Sequence, residues 1–229
     1  MTASGLKISF DTPTNDLALF VTRLTNYSHT QSSEDFSEYE ERIFSQIRSS
    51  NSLETLKDVE TLRMYRDLYW SFGMDPTKLR VSSEALMRRV LRGENLWRIS
   101  SLVDVVNLAS AYHGVPIGLI DEGALVGNLR VRTARKDEVF VRIGGKGLVC
   151  KGREVVLSDD EKIVCFGYAT HDSEMTRVTP QTATILLILY GAPGVSYSKL
   201  EQANSITLEM VDKWVDCQVT DSEYYRAMQ

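Results

Sequence analysis

Apolar and polar positions follow two rhythms along this chain, and the change falls near Asp121. Before it, apolar residues mostly recur at helical spacing. In "SSEDFSEYEERIFSQIRSS", Phe36, Tyr39, Ile43, Phe44 and Ile47 share one face and charged residues fill the rest, which predicts an amphipathic helix. A second helical region is expected from "NSLE", where Asn51 and Glu54 have capping-box spacing, to Gly73. "VSSEALMRRVLRGE" predicts a third, with Ser82 as its N-cap and Gly93 just past its end. A fourth occupies most of "SLVDVVNLASAYHGVPIGLID". There Ser101 and Asp104 have the spacing of a capping box, while Gly114 and Pro116 stop the helix. Apolar residues wrap nearly all of that cylinder, so burial is expected and Asn107 needs a hydrogen-bond partner. Upstream, residues 5–10 have strand composition, and residues 17–24 fit a strand or a helix.

Beyond Asp121 the rhythm shortens. "NLRVRTA", "EVFVRIGG", "REVVLSD" and "KIVCFGY" predict four strands, with "IGGKG" as a hairpin turn. "ATILLILYGAPG" is continuously apolar and predicts a central strand. "SYSKLEQANSITLEMVDKWVDCQ" places Leu208, Val211, Trp214 and Val215 on one face and predicts a closing helix. Helices, then strands, then a helix give an α+β fold in one domain spanning 1–229.

Composition narrows the function classes. Hydrophobic residues make up 43% and charged residues 25%, ordinary values for a globular chain. No apolar run has the length of a signal peptide or a membrane span, so a cytoplasmic protein without a membrane partner is expected. Cys150, Cys165 and Cys217 are too scattered for a disulfide framework, and His29, His113 and His171 have no metal-ligand spacing. No metal or other cofactor is expected, although a lone His171 in a cleft stays open. The net charge is −5, yet Lys78, Arg80, Arg88, Arg89, Arg92 and Arg98 face only Glu84 and Glu94 between Pro76 and Ser100. Such a band suits a phosphate backbone, although on charge alone a solvated helix face is the favoured account.

The usual nucleophile-elbow, phosphate-loop, dinucleotide and zinc signatures are absent. "YATHDSEMTRVTPQT" instead crowds polar groups between apolar strands, as either a solvated loop or a site.

Four stretches, "YRDLYWSFGMDPTKLRVSSEALMRRVLRG", "LVDVVNLASAYHGVPIGLID", "GNLRVRTA" and "DSEMTRVTPQT", together resemble one family. It is the B3/B4 domain of the phenylalanyl-tRNA synthetase β subunit, in its stand-alone form. The resemblance implies a sandwich-like sheet flanked by helices, with a family core over 61–195, an N-terminal elaboration over 1–60 and a C-terminal helix over 196–229. It implies an editing-type hydrolase that binds the aminoacylated 3′ end of tRNA and cleaves a wrongly attached amino acid. Gly118 stands where the bacterial synthetase pattern has a histidine, Glu174 matches an acidic family position, and Thr182 matches the threonine that follows. "FGYATHDS" replaces the Trp- and Arg-rich stretch usual in stand-alone relatives.

On this basis Glu174, Thr176 or His171 would hold the attacking water. Asn107, Gly114, Pro116, Gly118, Asp121 and Thr182 would form the substrate pocket, and Arg88, Arg89 and Arg92 would contact phosphate. A non-catalytic module binding RNA or an amino acid, and a small-molecule hydrolase, remain alternatives.

Overall fold

The computed structural model describes residues 5–12 and 16–227. Five α-helices and eleven strands are present among them, so the α+β expectation holds.

The first helix, α1 (Glu34–Ser50), is capped by Ser33, which accepts from the Phe36 amide. Asn51 does not open the next helix. It closes α1, donating its side-chain amide to the Ile47 carbonyl. The following turn hands over to α2 (Glu60–Ser71), which begins after Val59 without a side-chain cap. Likewise α3 (Ser82–Leu91) starts after Val81, and Ser82 is already inside it.

In α4 (Ser101–His113) the cap lies one residue earlier than the spacing suggested. Ser100 has the extended backbone of an N-cap and accepts from Val103. Asp104 therefore reaches past it, accepting from the Ile99 amide and the Ser32 hydroxyl. The helix ends as expected at Gly114, whose φ of 79° favours glycine.

A four-stranded sheet runs β11 (Gln218–Arg226), β2 (Ala18–Thr25), β10 (Thr184–Gly191), β3 (Ile117–Asp121), antiparallel throughout. Residues 17–24 thus resolve as a strand, and this part of the N-terminal segment is interior to the sheet. The tail of the chain adds an edge strand after α5 (Tyr197–Trp214). A continuous helix was expected over that tail. Strand β3, absent from the sequence reading, lies between the α4 stop and Asp121.

The second sheet has five strands in the order β1 (Ile8–Asp11), β4 (Leu129–Thr133), β7 (Val155–Ser158), β8 (Ile163–Phe166), β9 (His171–Asp172). The hairpin β5 (Lys136–Val141) and β6 (Gly147–Lys151) forms a separate two-stranded sheet around the predicted glycine turn. Strands from both large sheets and all five helices contribute to one buried core. Tyr168 ties the sheets together, donating its hydroxyl to the carbonyls of Ala18 and Gly191.

Candidate functional site

A cleft of about 420 Å³ opens between the approach to α3, the middle of α4 and β9. Lys78, Arg80, Trp97, Asn107 and His171 are among its lining residues. Asn107 and His171, nominated from different parts of the chain, therefore meet. Asn107 is half-buried and makes no side-chain hydrogen bond to a described residue, contrary to the expectation that it would need a partner. Its position on the cleft wall gives the reason, since an amide there can be satisfied by solvent or a ligand. Arg80 Nε and Ser82 Oγ are buried without hydrogen-bond partners, although Arg80 lies 3.9 Å from Glu84. Burial, reinforced by the nearby Arg142 charge, pushes His171 below its ordinary pKa and keeps it neutral at pH 7.

Behind His171, the Asp172 carboxylate turns inward. Its Oδ2 accepts from the Leu119 amide at 3.3 Å. A Cβ at Gly118 would stand 3.0 Å from Asp172 Oδ1 and 3.1 Å from the Tyr190 ring and hydroxyl. The space around Gly118, expected to match a histidine position, is thus tightly bounded by neighbouring side chains. Burial raises the Tyr190 hydroxyl and Cys165 thiol pKa values and pushes Asp172 up to about 6, although the Leu119 amide acts to lower the last of these.

The sign of this last shift makes a prediction. Between the ordinary value of 3.8 and about 6 the native state holds a proton that the unfolded chain releases. Stability should therefore fall as pH rises through this window, by on the order of 2–3 kcal/mol, and level off above it. Urea titrations at several pH values should show the slope, and Asp172→Asn should flatten it.

Other nominated residues lie apart from the cleft. Glu174 Oε2 accepts from the Gly144 amide at 2.9 Å, and its Oε1 pairs with Arg177 at 2.8 Å. It consequently fastens the β5–β6 turn. Asp172, not Glu174, is the carboxyl that stands across from β3. The Thr176 hydroxyl is buried without a partner. Thr182 donates to Asp121 at 2.8 Å and ties the segment just before β10 to the end of β3, whereas Gly114 and Pro116 stand at the other end of β3. Pro116 contributes its carbonyl to the Tyr190 amide.

The basic band is largely compensated. Glu84, fully buried, accepts from Arg66 and Arg88 at 2.8–2.9 Å. Arg89 and Arg92 both pair with Glu94, and Arg98 pairs with Glu40. Arg89 also lies 4.3 Å above the Trp97 ring. Sequence inspection counted these charges but could not pair them, and it overlooked Trp97 and the inward Asp172. All three cysteines are free, and no metal-binding cluster occurs among the described residues. No helix among them is long and apolar enough to cross a membrane.

The family profile described as "B3/4 domain" matches residues 64–225. The chain belongs to the B3/4 domain family. The match extends through α5 and β11, beyond the 195 boundary expected for the core. Two phenylalanine–tRNA ligase β subunits are similar over shorter stretches. That of Fusobacterium nucleatum is 28% identical over 117 residues, 51% of this chain and 14% of the relative. That of Bartonella henselae is 32% identical over 101 residues, 42% of this chain and 13% of the relative. The B3/4 chain thus matches only about a seventh of either relative's length. A crystal structure of an N-terminal fragment of the phenylalanyl-tRNA synthetase β subunit from Pyrococcus horikoshii is similar at a TM-score of 0.48 and 12% identity. That alignment covers 99% of this chain and 56% of the fragment.

Proposed function

We propose that this B3/4 protein is a tRNA-binding, editing-type hydrolase that deacylates mischarged aminoacyl-tRNA in trans. The observation that carries the proposal is the cleft joining the uncommitted Asn107 amide to neutral His171. His171 takes a proton from a water whose oxygen attacks the ester carbonyl carbon. The bond between that carbonyl carbon and the ribose oxygen then breaks, and the ribose oxygen leaves with the proton returned by His171. Asn107 orients the aminoacyl group, while Lys78 and Arg80 face the terminal phosphate. Glu174 positions the adjoining hairpin, and no cofactor enters the reaction. Such a substrate places the protein in the cytoplasm.

Incubation with a panel of mischarged tRNAs should release free amino acid from at least one pair. His171→Ala should lower that rate by roughly a hundred-fold or more. Absence of deacylation for every pair would overturn the proposal. The crowding at Gly118 favours a second reading, a module that binds tRNA or an amino acid without turnover. Binding without ester cleavage distinguishes it.

A further inference from the structure

Residues 135–153 contain Arg135, Lys136, Arg142, Lys146, Lys151 and Arg153 against Asp137 and Glu138, a local excess of four positive charges in a chain of net charge −5. Lys136, Lys146 and Lys151 are exposed, and no ion pair occupies them among the described residues. This differs from α3, where the arginines are already matched with carboxylates. A counterion-covered lysine can exchange small ions for a phosphate backbone, whereas a paired arginine must first give up its carboxylate.

The hairpin also has a distinct inner and outer face. Phe140 and Cys150 turn inward onto Val156, Ile163 and Phe166. Val139 and Val149, direct cross-strand partners, are each 63% exposed on the other face. Its turn is fixed beside the cleft, with Ile143 donating to the Asp172 carbonyl at 3.2 Å and Gly144 donating to Glu174.

We infer that the β5–β6 hairpin is the RNA-gripping surface of this protein. Lysines along the ribbon take successive phosphates, and the exposed valines offer apolar contact to riboses or bases. The anchored turn leads the bound strand toward His171. The choice of RNA over another polyanion rests on the function proposed above. The surface assignment itself rests on unpaired charge and the connection to the cleft.

Uncharged tRNA separates the two ideas because its binding requires no deacylation. Its affinity for the full chain should fall steeply with salt. The triple variant Lys136→Ala, Lys146→Ala, Lys151→Ala should bind at least roughly ten-fold more weakly at 100 mM salt, with a log–log salt slope smaller by about 2. Lys57→Ala, at an exposed lysine outside the hairpin, should retain near-parental affinity and slope, and circular dichroism should confirm that both variants fold. Equal affinity and slope for the triple variant would overturn the assignment. Tighter parental binding to polyglutamate or anionic lipid vesicles than to tRNA would also overturn it. Lost deacylation with intact tRNA binding would instead count against the hydrolase alone.

Discussion

Glu84→Gln should destabilise the protein by about 3–5 kcal/mol, read as a lower urea midpoint at pH 7. The Glu84 side chain is 1% exposed, and those of its partners Arg66 and Arg88 are 17% and 19% exposed. Removing the carboxylate charge leaves two guanidinium groups at the α2–α3 junction without their common counterion. Burial acts to raise the Glu84 pKa, but hydrogen bonds from Arg66 and Arg88 outweigh it and hold the group below its ordinary value. Its stabilising contribution is therefore present above the unfolded pKa and disappears as pH falls through the native one. The variant should lose that part of the parent's acid sensitivity. A destabilisation below about 1 kcal/mol would show that Glu84 behaves as an exposed ion pair despite its burial.

Adding a methyl group at Gly118 should have the second large effect. Gly118→Ala would place Cβ against Asp172 Oδ1 and the Tyr190 ring. Loss of about 1–3 kcal/mol is expected, because strand β3 and its neighbours must shift together. Gly118→His should cost more than alanine. Tyr190→Phe introduced with Gly118→Ala should recover part of the loss by removing the hydroxyl, while retaining the ring contact. Thermal denaturation of the single and double variants would provide the comparison, and a neutral Gly118→Ala would show that this region has room for a side chain. Accommodating a histidine at this position would therefore require changes at its neighbours as well.

The readable parts of the fold were those set by short sequence patterns. Gly114 and Pro116 mark the end of α4 because a left-handed residue followed by a missing donor cannot continue it. The apolar run leading into β10 similarly reflects its place between β2 and β3. Strand β11 was less legible: "QVTDSEYYR" is an edge strand with several exposed positions, so its residues bear little imprint of a core. The Ser100 cap was missed because adjacent serines offer the same side chain, and only the backbone conformation distinguishes them.

The candidate site shows the same division. His171 stood out in a polar stretch, and Asn107 stood out on an apolar helix. Their meeting depends on how the fold sets α4 and β9 on the walls of one cleft, a long-range relation that neither local pattern contains. The burial of Asp172 and the mutual pairing of Glu84 with two arginines likewise arise from residues brought together by tertiary packing.

Strand β2 carries a consequence for folding during synthesis. Thr22 and Ser222 are hydrogen-bonded neighbours 200 residues apart. At ribosomal speeds of about 5–20 residues per second, β2 waits about 10–40 s before its β11 neighbour has been made. During that interval one of its edges cannot form its native pairing, so the largely buried segment is exposed to mispairing and chaperone capture. The order in which the chain emerges makes this sheet a late product of folding, with high contact order built into its connectivity.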